Sequence, residues 1–253
     1  MDGSAQTPSS LIGYSRTVDV VTIELQRPDK RNALNHAMVD GIAAAVTRAV
    51  DEGARVLVLT GRGSVFCAGA DLSGPVSDPG FLEKLLGMLR VVESAPVPVI
   101  AALNGAALGA GLQLAMAADL RVMAPEATIG IPAAKLGVGV DDWTIKRLAS
   151  LVGGGVARAV TMACESLSAD RAYGVGFANK IGDLDDAQQW AATIAVLAPL
   201  SLQHYKLVLN DDGTRENTST GHVESMMRAW NSEDVQEGIR ARAEKRSPRF
   251  QGR

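Results

Sequence analysis

The sequence is poor in the features that mark extracellular, membrane-spanning and nucleic-acid-binding chains. Its 253 residues hold two cysteines, Cys67 and Cys164, too few for the disulfide framework of a secreted domain. No stretch approaches the roughly 18 consecutive apolar residues of a membrane-crossing helix, so no membrane span is expected. The opening MDGSAQTPSSLI lacks a basic start followed by an apolar run, so no secretory signal is expected and the cytoplasm is the expected location. Charge of neither sign dominates: 25 basic residues face 28 acidic ones. That balance excludes the strongly basic footprint of a nucleic-acid binder. Aromatics make up only 4%, so the core must be built from aliphatic and small side chains. The hydrophobic share, 47%, excludes disorder for the bulk of the chain and suffices for one full core.

What is present is an alternation of apolar runs with amphipathic stretches. Residues 1–12 read as a loose tail. Residues 18–26 read as a strand, and Arg27-Pro28-Asp29-Lys30-Arg31 as a turn carrying three cations. Residues 35–51 have helical spacing through Met38, Ile42, Val46 and Ala49, with Gly53 closing the helix. Residues 55–60 and 98–103 read as buried strands. A polar Gly/Pro loop is expected over 73–80, and a helix over 81–93. The turn at 104–111 leads into a helix through Ala118, and a third strand starts at Asp119. From Asp141 onward the pattern is almost wholly helical. Strands alternating with helices over the first 140 residues predict an α/β fold of parallel strands and crossover helices, followed by a helical layer.

Two glycine-rich turns follow buried strands, where α/β folds place ligands. The first, Thr60-Gly61-Arg62-Gly63-Ser64-Val65-Phe66, half-matches a dinucleotide fingerprint. Phe66 occupies the third glycine's place and no phosphate-loop Lys-Ser/Thr follows, so no nucleotide cofactor is expected. The second, Gly105-Ala106-Ala107-Leu108-Gly109-Ala110-Gly111, opens a helix with small residues. Free N–H groups there suit an anion or a developing oxyanion; close packing of helix on strand calls for the same residues, and the pattern alone leaves both open. No Gly-x-Ser-x-Gly elbow occurs, and His36, His204 and His222 lie far apart. No metal-ligand spacing is found, so no metal is expected.

Three spaced motifs carry a resemblance. Arg27-Pro28 with Asn32-Ala33-Leu34-Asn35, then Phe66-Cys67-Ala68-Gly69-Ala70-Asp71-Leu72, then Asn104-Gly105 with Gly109-Ala110-Gly111-Leu112 resemble the enoyl-CoA hydratase/isomerase (crotonase) superfamily. The ending Glu244-Lys245-Arg246-Ser247-Pro248-Arg249-Phe250 is similar too. The resemblance implies a crotonase-type ββα spiral core over residues 13–195 and a helical trimerisation subdomain over 196–253. It also implies a homotrimer or hexamer and a CoA thioester as ligand, with no further cofactor. The backbone N–H groups of Ala70 and Ala110 would form the oxyanion hole. Ala33, Ala68, Ala70, Asp71 and Leu72 would line the CoA site, and Arg27, Lys30 and Arg31 would face its phosphates. The basic tail Arg240–Arg253, with Lys245 and Phe250, would reach the CoA of the same or a neighbouring subunit; a solvated turn and a charged helix end are the alternative readings of these cations.

Family hydratases use two glutamates. Alignment on the motifs places Gln113 at the first position and Ala133 at the second. An amide holds a water but takes no proton near neutral pH, and alanine does neither. Asp141 stands where other family members carry a catalytic aspartate; capping the following helix and polar lining of a binding site are the other readings. Trp143 is assigned to the acyl site by the resemblance and to the core by its size. The expected function is therefore a fatty acyl-CoA-binding protein with an oxyanion hole and little or no hydratase activity. The alternative is an active enoyl- or dienoyl-CoA isomerase using Asp141. The Gln and Asp-x-Trp positions are similar to a mycobacterial branch of the family, which implies a role in fatty-acid or mycolic-acid lipid metabolism with lipid-synthesis enzymes as partners.

Overall fold

The computed structural model describes residues 11–71, 79–214 and 220–252. The chain enters through an antiparallel hairpin of β1 (Ile12–Thr17) and β2 (Val20–Leu25), with Ile12 opposite Leu25 and Thr17 opposite Val20. The strand expected over 18–26 thus begins two residues later, and Ile12, expected in the tail, already lies in a strand. Val18 sits in the turn, exposed and at a φ of +53°. β1 escapes the hydrophobic pattern because it lies at a sheet edge, where its sequence IGYSRT buries little.

From β2 the chain winds through α1 (His36–Asp51), β3 (Val56–Gly61), α2 (Pro79–Ser94), β4 (Val99–Leu103), β5 (Ala107–Leu108), α3 (Ala110–Ala117), β6 (Leu120–Met123) and β7 (Thr128–Gly130). There follow α4 (Asp142–Val152), α5 (Gly154–Met162), β8 (Leu167–Ser168), α6 (Ala169–Gly174), β9 (Lys180–Ile181), α7 (Leu184–Ala195), α8 (Pro199–Asn210), α9 (Thr220–Trp230) and α10 (Glu233–Ala243). α2 starts at Pro79, two residues before the expected position, since proline in a first turn lacks only an N–H that would be unpaired there. Residues 73–78 of the expected loop, and Leu72, lie outside the described residues. β8 and β9 interrupt the helical run expected after Asp141; two-residue strands are too short to show a period.

The long strands form one sheet in the order β1-β2-β3-β4-β6-β9, parallel from β2 onward. Shorter extended segments stack as a second layer. Leu34 bridges Ala70, Cys67 bridges Ala107, β5 pairs with β7 in parallel, and β7 pairs with β8 antiparallel. Successive turns of chain therefore give one strand to each layer before their helix, which is the ββα spiral of a crotonase fold.

Alternation along β3 divides the core. Leu57 and Leu59 pack with α1, α2 and α3, while Val56 and Val58 face Ala187, Ala191 and Ile194 of α7. Covering both faces explains why the strand reads as an unbroken apolar run. α3 is buried at every residue, with Gln113 its one polar side chain, as a helix apolar on nearly every side must be. Its far end is held by cations. Arg121 donates from Nε to the Phe177 carbonyl (2.6 Å) and from a terminal nitrogen to the Ala118 carbonyl (2.9 Å), and Arg147 Nε reaches the Met116 carbonyl (3.3 Å). Burial, and then the nearby Arg147, push Arg121 down to about 10, still high enough to keep it charged at the negative end of the helix dipole at neutral pH.

Candidate active site

The second-layer strands bring two turns together. Gly69 has a φ of +106°, and a Cβ added to it would stand 3.0 Å from the Leu108 carbonyl oxygen and 3.8 Å from the amide nitrogen of Ala110. Gly111 meets the same segment more closely: a Cβ there would lie 2.2 Å from the Cys67 carbonyl oxygen. Only a hydrogen at this position lets α3 start against residues 67–70. Leu108 N–H donates to Cys67 (2.9 Å), and Cys67 N–H to Ala106 (3.1 Å). The Gly69 carbonyl and the Asp71 N–H are both bonded to Leu34 (2.8 Å each), which turns the Ala70 N–H the other way. Ala110 is the first residue of α3, where N–H groups have no helical acceptor. Neither N–H has a partner among the described residues. Unsatisfied donors beside a helix N-terminus suit a carbonyl that gains negative charge.

One turn along α3, Gln113 is buried, and its Nε2 donates to Asp141 Oδ2 (2.9 Å) and to Thr144 Oγ1 (2.5 Å). Asp141 is the N-cap of α4: Oδ1 accepts from the Thr144 N–H (3.1 Å) and Oδ2 from the Thr144 hydroxyl (2.6 Å). The carboxylate therefore caps a helix and binds Gln113 at once. Ala133 lies in the helical turn Pro132–Leu136 and contributes only a methyl group. Trp143 is buried, its indole N–H donating to Glu93 Oε1 (3.1 Å), which places it within the main core cluster. Burial pushes the Cys67 thiol up to about 12, so this cysteine, although beside the hole, is no nucleophile near neutral pH.

A cleft of about 450 Å³ opens next to Ala70. Its lining includes Lys30, Arg31, Ala33, Ala68, Ala70 and Asp71. Asn32 shapes this rim: fully buried, it accepts from the Arg27 N–H (2.9 Å) and donates to the carbonyls of Arg62 (3.0 Å) and Val65 (2.7 Å). Arg27 is engaged within the chain, 2.6 Å from Asp71 and 3.1 Å from the Ala33 carbonyl. Lys30 and Arg31, by contrast, have no ion pair among the described residues. α10 supplies the opposite wall through Ile239, Arg242 and Ala243; Arg242 and Ala243 lie in the tail Arg240–Arg253, whereas Ile239 carried no sequence signal. Lys245 and Phe250 do not line the cleft. Their segment folds back along α10, where Arg246 pairs with Glu237 (2.5 Å) and the Gln251 N–H donates to Asp234 (2.6 Å). Among the described residues no group of three His, Cys, Asp or Glu side chains is placed to hold a metal.

The enoyl-CoA hydratase/isomerase family profile matches residues 15–253. The chain belongs to this family. Within the enoyl-CoA hydratase/isomerase family it is 51% identical over 242 residues to the probable enoyl-CoA hydratase echA6 of Mycobacterium bovis, covering 96% of this chain and all of that one. The same holds for echA6 of Mycobacterium tuberculosis. A probable enoyl-CoA hydratase of Rhodobacter capsulatus is 34% identical, covering 96% of this chain and 98% of that one. Among solved structures, a methylmalonyl-CoA decarboxylase in complex with 2-nitronate-propionyl-CoA superposes with a TM-score of 0.88. Its identity is 26%, over 96% of this chain and 99% of that one.

Proposed function

We propose that the protein binds fatty acyl-CoA thioesters and polarises their carbonyl, with little or no hydratase activity. The observation that carries this reading is the pairing of two unsatisfied N–H groups, on Ala70 and Ala110, with an amide at Gln113 whose nitrogen is already engaged by Asp141 and Thr144. An oxyanion-hole donor is worth about 3–4 kcal/mol to a developing enolate. Hydration further needs a base for water and an acid for the α-carbon, each worth roughly 10²–10⁴-fold. Gln113 supplies neither, and Ala133 is inert. The cleft bearing Lys30, Arg31 and Arg242 suits the phosphates of CoA, because unpaired cations recognise phosphate by charge. We place the protein in the cytoplasm, in fatty-acid or mycolic-acid lipid metabolism, alongside lipid-synthesis enzymes.

We further propose a homotrimer or hexamer. On α8, Leu200, Leu207, Val208 and Leu209 are each more than half exposed, and an apolar face of that kind marks an association surface. No single described helix is long and apolar enough to cross a membrane; α7 and α8 reach that length and composition only as a pair bent by 113°. Part of α7 is spent on the core beneath β3.

Asp141 supports a second reading, an isomerase or other enolate chemistry. Three hydrogen bonds occupy its two oxygens, which offer about four acceptor sites, so one site is left for a substrate proton. Mass-spectrometric turnover of a chain-length series of 2-enoyl-CoA esters at high protein concentration separates the two. Thioester recovered unchanged supports the binding reading. Hydrated product overturns it, and isomerised product lost in Asp141→Asn establishes the second.

A further inference from the structure

The stretch that carries Ala133 and Asp141 owes its position to the C-terminal helices. From Ala133 to Asp142 no residue is buried, and Pro132 is only half-buried. Its outer support is backbone. Gly137 has a φ of +72°, and a Cβ there would stand 2.8 Å from the Asp234 carbonyl carbon and 3.0 Å from the Val235 amide nitrogen. From the other side, a Cβ on Gly238 would lie 2.6 Å from the Leu136 carbonyl oxygen. Each glycine sits against the other's segment, and only hydrogen fits at either place. α9 backs the residues that follow: a Cβ on Gly139 would meet Met226 at 3.4 Å and Ala229 at 3.5 Å, and the Gly139 carbonyl accepts from the Trp230 indole N–H (2.8 Å).

α10 has a second commitment. Arg242 lies one helical turn beyond Gly238, so the two share a side of the helix. With Ile239 and Ala243, Arg242 walls the cleft opposite Lys30 and Arg31. α10 therefore stands between the cleft and the segment 132–142 and touches both. Its contact with that segment is backbone on backbone, with no flexible side chain to absorb a shift, so a displacement of one is passed to the other. We propose that α10 couples the two ends of the acyl-CoA site. Phosphates held between Arg242 and the Lys30–Arg31 turn fix α10, and α10 fixes the segment bearing Ala133 and Asp141, so that the nucleotide half of the ligand tightens binding of the acyl half. Gly238 is the positioning residue of this coupling. The proposal rests on the acyl-CoA reading above and adds to it the dependence of one end of the site on the other.

Calorimetric titration of the full chain with decanoyl-pantetheine, with and without saturating adenosine 3′,5′-bisphosphate, tests it. The bisphosphate is expected to tighten decanoyl-pantetheine binding about five- to tenfold, the lower end of couplings between linked sites. In Gly238→Ala, whose methyl group would meet the Leu136 carbonyl oxygen, that ratio is expected to fall to about one, whatever the absolute affinities. Hydrogen exchange of the parent decides the matter even if the variant fails to fold. The bisphosphate alone is expected to slow, several-fold, exchange of the Gly137 and Val138 N–H groups, which are bonded to Ala134 and Ala133. No tightening in the parent, or protection confined to α10 and the Lys30–Arg31 turn, would overturn the proposal. So would a tightening that survives in Gly238→Ala. A bisphosphate that fails to bind while decanoyl-CoA binds would take the nucleotide out of this cleft and overturn it too. Failure of decanoyl-CoA itself to bind would instead overturn the acyl-CoA reading on which the proposal stands.

Discussion

Gln113→Glu restores the residue type that hydratases of the family carry at this position, yet here it is expected to yield no base. The new carboxylate would replace an amide nitrogen standing 2.9 Å from Asp141 Oδ2. Two ionised carboxylates at that separation repel by about 6 kcal/mol at an effective dielectric of about 20, equivalent to about four pH units. The pair therefore keeps one proton at neutral pH and titrates as a unit. The sign of the linkage follows. The unfolded variant releases the introduced proton near pH 4.3, whereas the folded variant holds it to much higher pH. The penalty is absent below the unfolded value and grows by about 1.4 kcal/mol per pH unit until the folded value is passed. Between pH 5 and pH 7 the variant should thus lose about 3 kcal/mol relative to the parent. Urea unfolding of both proteins at pH 5, 6 and 7 measures this. Adding Asp141→Asn supplies an amide donor to the new carboxylate and should abolish the extra slope. Hydration is then expected only from the combination of Gln113→Glu, Ala133→Glu and Asp141→Asn. Parallel stability–pH curves for Gln113→Glu and the parent would refute the reasoning, because they would mean that the Gln113 nitrogen does not face Asp141.

Gly111→Ala would set a methyl group 2.2 Å from the Cys67 carbonyl oxygen, which forces α3 away from residues 67–70. Stability should drop by about 1–3 kcal/mol, with weaker acyl-CoA binding in calorimetry; parental values for both would contradict the close approach. Arg121→Met strands the carbonyls of Phe177 and Ala118 and should destabilise by about 2–4 kcal/mol in urea unfolding. Hydrogen bonds from Arg246, then from the Arg249 N–H, hold the Glu237 carboxyl down to about 2. Its stabilisation is present above the ordinary carboxylate range and is lost only as pH falls towards that value. Glu237→Gln should release the tail at neutral pH, seen as faster tryptic cleavage after Arg246.

The sheet was legible where burial on both faces writes long apolar runs, as at β3 and β4, and where a capping residue marks a start, as Asn35 does for α1. It was illegible at β1, whose edge position leaves the outer residues free to be polar, and at β8 and β9, which are too short to repeat. The motif residues of the site come together because each sits on a second-layer segment next to the one before it: Leu34 beside Ala70, Cys67 beside Ala107. A sequence pattern does not announce that register. The far wall of the cleft was hidden for a different reason. Ile239, Arg242 and Ala243 come from a helix more than 160 residues further along the chain than Ala70, and apart from the basic run that includes Arg242 nothing local distinguishes them from any amphipathic helix face. Trp143, assigned to the acyl site by the resemblance and to the core by its size, donates its indole N–H to Glu93 within the main core cluster.

Two pairs of readings that the sequence set against each other prove to describe the same atoms. The small residues at 105–111 permit close packing of α3 on the strand before it, and that closeness is what sets the start of α3 at Ala110 against residues 67–69. Asp141 caps α4, and the cap holds its carboxylate still enough to orient Gln113. Removing the cap would therefore do more than loosen one helix end. Without Asp141 as acceptor, nothing forces the Gln113 nitrogen to one side, and its amide is free to turn over and present a donor where it now presents an acceptor. Asp141→Ala should then cost more in urea unfolding than the roughly 1 kcal/mol of a lost cap, because the buried Gln113 amide loses an acceptor as well. The polarity of the Gln113 amide is set by a helix cap.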